Sequence, residues 1–229
     1  MQNGPSEAAR SALATLRLEV ERLDLARAGL PLDEPALDRF GRYLDLLLEW
    51  NERAGLTTVT APDEVARRHF GESLALLIVL RRELEVSVMA RVVDLGSGAG
   101  FPGLPIAIAA PSMSVTLVET HTRRAEFLRA VASELGLANV EVVHARAEDA
   151  ARDPALREHF DVAIARALAA LRVLVELGVP FLRPGGLLAA PKGSRALDEL
   201  SGAAAAIQAL GARPEEPVML PLAEAPRRS

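Results

Sequence analysis

The stretch RVVDLGSGAGFPGLP (residues 91–105) joins a short apolar segment to a loop that contains four glycines. The apolar part is typical of a buried strand. A glycine-rich loop directly after such a strand lets another group approach the backbone closely. The stretch therefore predicts a strand, a binding loop and the start of a helix.

The chain on the two sides of this stretch differs in periodicity. Up to about Leu84 the apolar residues recur at helical spacing, which predicts helices over 6–26, from a cap at Asp33 to about 52, and over 64–84. After residue 90 short apolar strands alternate with helices. The predicted strands are 91–95, 115–119, 140–144, 160–165, 187–190 and 218–220, and the predicted helices are 104–110, 123–135, 171–181 and 196–210.

This alternation predicts an α/β domain with a doubly wound, mostly parallel sheet covered by helices on both faces. We place that domain at residues 85–229 and an N-terminal helical extension at residues 1–84. In such sheets ligands bind outside the carboxyl ends of the strands, so the loops after each strand are the candidate site.

Composition excludes several kinds of protein. The 229 residues contain no cysteine, which removes disulfides and cysteine nucleophiles and is typical of a cytoplasmic protein. The apolar runs at 74–80 and 104–110 are too short to cross a bilayer, so we expect no membrane contact. Four scattered histidines lack the spacing of metal ligands, so no metal is expected. The net charge of −5 disfavours non-specific coating of nucleic acid.

The glycine loop fits two nucleotide-binding motifs. Gly98 to Gly103 reads G-x-G-x-x-G, the dinucleotide motif, whereas Asp94 to Gly100 reads D-x-G-x-G-x-G, the loop with which methyltransferases bind S-adenosylmethionine. The strand ends in Asp94, and Pro102 would interrupt the turn of the dinucleotide motif, so the second interpretation is favoured. NAD and a glycine turn that merely packs are the alternatives. Glu119, after the second strand, could accept hydrogen bonds from ribose hydroxyls in either binding interpretation.

Two later loops point into the same cleft. HARAED (144–149) follows the third strand and places Ala147 and Glu148 where an adenine edge would lie, with a helix cap as the alternative role. Arg166 leaves the end of the fourth strand, where the alternative is a surface ion pair.

These motifs together carry a family resemblance. Through LLLEWNERAGLTTVTAPDEVARRHFGESL (46–74), DLGSGAGFPGLP, LVETHTRRAEFL, ARAED, ARALA and PKG, the chain resembles the RsmG (GidB) family of bacterial small-subunit rRNA methyltransferases over about residues 35–195. The resemblance implies a class I (Rossmann-like) S-adenosylmethionine-dependent methyltransferase fold. It also implies methyl transfer to N7 of a guanine in the decoding-region loop of 16S rRNA, the family target guanine 527.

The resemblance also implies which partners and site residues to expect. The partner would be 16S rRNA or the small ribosomal subunit, and we expect the protein to be a monomer. Cofactor contacts implied by the resemblance fall on Gly96, Phe101, Ala147, Glu148 and Arg166. From the loop motif and the end of the second strand, we add Asp94, Gly98 and Glu119 to the predicted cofactor-binding residues.

The residues are consistent with an N7 reaction, mainly through what they lack. The end of the fourth strand reads ARAL where amino-group methyltransferases carry an Asn/Asp-Pro-Pro-aromatic tetrad. Guanine N7 has an exposed lone pair and loses no proton on attack, so we predict no catalytic acid or base. The alternatives are a methyltransferase for a small molecule or protein and a nucleotide-binding module without catalysis.

Clustered cations near the cleft are the predicted RNA contacts. His69 could instead be a core histidine, and Lys192 is the only lysine in the chain. The predicted RNA-binding residues are Arg67, Arg68, His69, Arg123, Arg124 and Lys192.

The sequence departs from the family pattern in two places. Gly55 stands where the family usually has Asn. Methyltransferase sheets normally end with a strand inserted antiparallel between earlier ones, and this chain reaches APRRS (225–229) without such a strand. We therefore expect the last strand of the sheet to be missing.

Overall fold

The computed structural model describes residues 6–222. The helices are α1 (Glu7–Leu23), α2 (Glu34–Ala54), α3 (Pro62–Glu64), α4 (Glu72–Arg82), α5 (Gly103–Ala109), α6 (Thr122–Glu134), α7 (Ala147–Ala150), α8 (Leu171–Gly178) and α9 (Ala196–Ala209). The strands are β1 (Arg91–Leu95), β2 (Ser114–Glu119), β3 (Val140–His144), β4 (Phe160–Ile164) and β5 (Leu182–Ala189). Short 3₁₀ segments at Leu25–Ala28 and Val179–Phe181 follow α1 and α8.

Local signals set the ends of the first two helices. The predicted cap at Asp33 is confirmed, since its Oδ1 accepts a hydrogen bond from the Ala36 amide at 2.9 Å. Helix α1 stops at Leu23, before the predicted end, because Asp24 adopts a left-handed conformation. Gly55 caps α2 with φ of +56°, a conformation that glycine and asparagine both tolerate, so glycine can replace the family's asparagine in this cap.

The third predicted helix is confirmed as a continuous helical stretch, but part of it is not α-helical. A π-helical segment (Val65–Gly71) separates α3 from α4. The wider turn of a π-helix changes which side chains face the sheet, and such segments are frequent at functional sites.

The sheet is parallel throughout, in the order β3-β2-β1-β4-β5. All five strands therefore end at the same edge, with β1 in the centre. Strand β5 starts at Leu182, before the predicted start, because the β4–β5 pairing continues across a register shift. Gly185, with φ of +82°, lies between the paired residues Leu182 and Leu187 and accommodates that irregularity.

The predicted strand over 218–220 is wrong. In the part of the chain that the structure describes, no strand follows β5. Pro217 and Pro221 flank the segment and lack the amide donors of a sheet ladder. Instead, the segment reaches α1, where Arg22 Nη1 donates to the Pro221 carbonyl at 2.6 Å. Residues 225–229, the APRRS segment, lie outside the described residues.

One hydrophobic core cluster contains residues from both sides of the predicted boundary at residue 84. It joins Phe40 and Leu47 of α2 to Val92 of β1, Ile106 of α5 and Leu117 of β2. The change from helices to alternating strands is therefore not a break in the core, and the domain boundary itself stays a prediction. None of the described helices is long and apolar enough to span a membrane.

Candidate active site

The carboxylate of Asp94 lies inside the glycine loop. Asp94 is fully buried at the end of β1, and its Oδ2 accepts a hydrogen bond from the Gly103 amide at 3.0 Å, at the start of α5. Its Oδ1 is buried with no hydrogen-bond partner in residues 6–222. Burial raises the pKa of Asp94 to about 7, against the lowering effect of the Gly103 amide.

Glu119 ties the ends of β1 and β2 together. Its Oε2 accepts from the Gly98 amide and its Oε1 from the His121 amide, both at 2.8 Å. The residue is buried. Each carboxylate oxygen has two lone-pair sites, so both can accept a second hydrogen bond.

Three glycines of the loop have positive φ, but their surroundings differ. A Cβ on Gly96 would lie 2.6 Å from Leu168 Cδ1, and one on Gly100 would lie 2.7 Å from the Tyr43 hydroxyl. A Cβ on Gly98 would meet only the Gly96 carbonyl oxygen, at 3.8 Å. Gly100 is thus needed for packing against the buried Tyr43, whereas the exposed Leu168 could move away from a side chain at position 96, and Gly98 faces open space.

Helix α2 holds the loop from the opposite side. The Tyr43 hydroxyl donates to the Ala99 carbonyl, and its ring lies 5.4 Å from the ring of Phe101. Burial raises the pKa of Tyr43 well above its ordinary value, so the phenol remains a donor. Tyr43 was not among the predicted site residues, since nothing local distinguishes it from other core residues of α2.

His69, on the π-helical segment, is neutral and stacked on Phe101 at a centroid distance of 4.5 Å. Its Nδ1 can only accept from Arg166 Nη2, at 3.5 Å, because a guanidinium has no acceptor. The proton is therefore assigned to Nε2, which donates to Thr57 Oγ1 at 3.0 Å. Burial, with the charges of Arg166 and Arg68, lowers the pKa of His69 to about 4.

Arg166 is fixed between the π-helical segment and α4. Its Nη1 lies 3.3 Å from Glu72 Oε2, and its Cζ lies 5.5 Å from the centre of the Phe101 ring. Only 21% of the side chain is exposed. Partial burial raises the pKa of Glu72, although the nearby guanidinium opposes that shift. Glu72 was also missed, because its partner is 94 residues away in the sequence.

Ala147 and Glu148 begin α7, at the end of β3. Ala147 is half-buried, and Glu148 is exposed and pairs with Arg146 at 3.1 Å. Hydrogen bonds from its own backbone amide and from Arg146 lower the pKa of Glu148. Both residues lie at the same edge of the sheet as Asp94 and Glu119.

The predicted RNA contacts lie on three parts of the chain: the π-helical segment, α6 and the loop after β5. Arg67 and Arg68 lie on the π-helical segment, where Arg68 is 3.8 Å from Glu64. Arg123 and Arg124 open α6, and Arg123 Nη1 donates to the Arg53 carbonyl at 3.3 Å.

Lys192 follows β5 and is bound within the protein. Its Nζ donates to the Ala169 carbonyl at 2.7 Å and lies 2.8 Å from Glu199 Oε2, with 14% of the side chain exposed. Glu199 Oε2 also accepts from the Leu171 amide at 2.8 Å. Lys192 thus joins the loop after β4 to α9. Among the described residues, no group of histidine and acidic side chains could hold a metal ion.

Residues 36–225 match the family profile described as rRNA small subunit methyltransferase G (GidB). The chain belongs to the rRNA small subunit methyltransferase G family. A family protein from Desulfitobacterium hafniense is 44% identical over 191 residues, covering 83% of this chain and 77% of that protein. One from Chloroflexus aggregans is 46% identical over 201 residues, covering 87% and 82%.

Family membership confirms the class I methyltransferase fold and S-adenosylmethionine as the cofactor. Among solved structures, the chain resembles a precorrin-6y C5,15-methyltransferase from Geobacter metallireducens, with a TM-score of 0.44 and 16% identity over 62% of this chain and 71% of that one.

The residues present fit this cofactor. The carboxylate of Glu119 has spare acceptor capacity, Gly98 faces open space, and Asp94 Oδ1 is a buried acceptor without a partner in the described chain. When bound, the cofactor supplies an electrophilic methyl group on a sulfonium centre.

Proposed function

We propose that this protein methylates N7 of a guanine in the decoding-region loop of 16S rRNA, the family target guanine 527, as a cytoplasmic monomer. The observation that carries the proposal is the end of β4. Arg166 is fixed there by Glu72 and His69, at the place where amino-group methyltransferases hold the amine with a polar tetrad. The family's name supports the small-subunit rRNA as the substrate.

The proposed cofactor site follows the carboxyl edge of the sheet. Glu119 would accept hydrogen bonds from the ribose hydroxyls while it holds the Gly98 amide. Asp94 Oδ1 would face the ammonium end of the cofactor, where opposite charge would favour its ionised form. The remaining proposed contacts are Gly96, Gly98, Phe101, Ala147, Glu148 and Arg166.

No residue needs to remove a proton in this reaction. N7 would use its own lone pair to form the new bond to the methyl carbon as the sulfur–carbon bond breaks, with S-adenosylhomocysteine as the leaving group, so the protein would have no proton to move. The carboxylates of Asp94 and Glu119 already accept backbone hydrogen bonds, so they would position the loop as well as hold the cofactor, and neither would act as a base. Alignment of N7 with the methyl group would supply most of the acceleration.

The proposed RNA contacts differ in strength. Arg67, Arg123 and Arg124 make no salt bridge within residues 6–222, so their charges are available to phosphates. Arg68 is exposed and only 3.8 Å from Glu64, so it could exchange this partner for a phosphate. His69 would contribute a neutral ring, and Lys192 would act through the loop that it holds.

The test uses small subunits that lack the modification. They would be incubated with S-adenosylmethionine labelled in the methyl group, and the labelled nucleotide would be mapped by cleavage at N7-methylguanine. We expect a single labelled guanine in the decoding-region loop and loss of labelling with Arg166→Ala. Labelling of another atom, or of no RNA by the intact protein, would contradict the proposal.

A further inference from the structure

A cavity of about 400 Å³ lies between the C-terminal end of α2 and the first turns of α6. It is separate from the proposed cofactor contacts, although α6 starts only three residues after Glu119. The residues that line it are Trp50, Arg53, Ala54, Arg123 and Glu126.

Trp50 and Arg53 form a flat platform in this cavity. The guanidinium carbon of Arg53 lies 4.1 Å from the centre of the Trp50 ring, and the ring itself packs against Phe127 at 5.8 Å. The contact with Trp50 and Glu49 Oε1, 3.8 Å from Nη2, restrict the Arg53 side chain, which is 61% exposed, while Phe127 supports the Trp50 ring. Unpaired RNA bases stack on aromatic rings and on the planes of arginine side chains, so this arrangement suits a base.

Arg123 supplies a positive charge beside the platform. It donates to the Arg53 carbonyl and makes no salt bridge in residues 6–222. The first turn of α6 contains two arginines and no acidic residue. Cations at this end of a helix are unfavourable for stability, because they face the positive end of the helix dipole. An anion bound there would offset that cost. A phosphate group is therefore favoured at the start of α6, beside the stacked base.

Glu126 indicates which base fits. Its carboxylate lines the same cavity and has no ion-pair partner among the described residues. A carboxylate would repel a phosphate but can accept two hydrogen bonds side by side. Guanine presents two adjacent N–H donors on its Watson–Crick edge, whereas adenine and the pyrimidines do not offer that pair.

We propose that this cavity binds an unpaired guanine nucleotide of the RNA substrate, other than the nucleotide that is methylated. The base stacks on Arg53, its Watson–Crick edge donates to Glu126, and its phosphate contacts Arg123. The inference rests on the proposed function for the identity of the RNA, but the binding site can be tested without any methylation.

The first experiment uses Trp50, the only tryptophan in the chain, as the reporter. Guanosine monophosphate is titrated against the protein, and the quenching of Trp50 fluorescence gives the dissociation constant. We expect Arg53→Ala, Arg123→Ala and Glu126→Gln each to raise that constant about fivefold or more, as for the loss of one stacking or charged contact. Arg129→Ala removes the same charge from the same helix and should change nothing.

Two results would overturn the proposal. One is the absence of saturable quenching by guanosine monophosphate. The other is an equal dissociation constant for adenosine monophosphate, which would show that the cavity does not distinguish guanine from adenine.

A second measurement separates this inference from the proposed function. With undermodified small subunits, Arg53→Ala and Arg123→Ala should raise KM about fivefold with little change in kcat and in the affinity for S-adenosylhomocysteine. An unchanged KM in an active protein would overturn the proposed guanine site. If the unaltered protein labels no rRNA while Trp50 fluorescence still shows binding of guanosine monophosphate, the proposed function is wrong and the proposed guanine site is retained.

Discussion

At the scale of single residues, the two buried carboxylates at the centre of the sheet edge differ through their hydrogen bonds. Glu119 accepts a backbone N–H on each oxygen, whereas Asp94 accepts one and leaves the other oxygen without a partner in the described chain. Hydrogen bonds to the ionised form favour ionisation, and burial opposes it. Asp94 therefore carries a cost of ionisation that a bound cation could remove.

Asp94 makes stability depend on pH. Its pKa is raised from 3.8 to about 7 in the folded chain. Its contribution to the free energy of unfolding is therefore fully present below about pH 4 and is lost as the pH rises through 7. Without cofactor, we expect the free energy of unfolding in urea to fall by roughly 1 kcal/mol per pH unit across that window. Asp94→Asn should remove this part of the dependence, and an identical dependence in both proteins would contradict the assignment.

Glu119→Ala should weaken cofactor binding. The change removes the proposed ribose acceptors and leaves the Gly98 amide without its partner, so we expect a loss of about 1 to 3 kcal/mol. Calorimetry with S-adenosylhomocysteine measures it, and Glu119→Gln, which keeps one acceptor, should lose less. Unchanged affinity in Glu119→Ala would mean that the ribose binds elsewhere.

At the scale of elements, the loop offers a matched pair of glycines. Gly98 and Gly136 have similar φ angles of +58° and +62°, and a Cβ on either would meet no close neighbour. Alanine at each position should therefore destabilise the protein equally, by about 1 kcal/mol. Only Gly98→Ala should reduce the affinity for S-adenosylhomocysteine, by about tenfold or more, because its methyl group would enter the space proposed for the cofactor. Equal affinities in calorimetry would contradict that placement.

The elements that could be predicted are those fixed by local signals. Asp33 caps α2 through a residue three positions away, and the spacing of glycines after Asp94 identified the loop. The π-helical segment has no sequence signature, and Glu72 meets Arg166 only through the fold. The segment 218–220 resembles a strand in hydrophobicity, but flanking prolines and the contact with Arg22 give it another conformation.

At the scale of the whole molecule, the N-terminal helices complete the proposed site. Tyr43 holds the loop carbonyl of Ala99, His69 covers Phe101, and Glu72 positions Arg166. The sheet alone would present the loop without these supports. Binding at the sheet edge should therefore be coupled to the packing of α2 and α4.

The acidic net charge of −5 limits how RNA can be bound. With Arg67, Arg123 and Arg124 as the main phosphate contacts, we expect the logarithm of the affinity for single-stranded RNA to fall with log salt with a slope of about −2. Each arginine changed to alanine should reduce the slope by about 0.7, and Arg129→Ala should not. Filter binding at several salt concentrations measures the slope, and a value near zero would exclude these contacts.

Lys192 also has a practical consequence for labelling. It is the only lysine in the chain, and its amine donates to the Ala169 carbonyl beside Glu199. Acylation of this amine would remove its charge and break its contacts with the Ala169 carbonyl and Glu199. Amine-reactive dyes or biotin should therefore perturb this protein wherever they react with its lysine, and a surface-immobilised sample needs a different chemical handle.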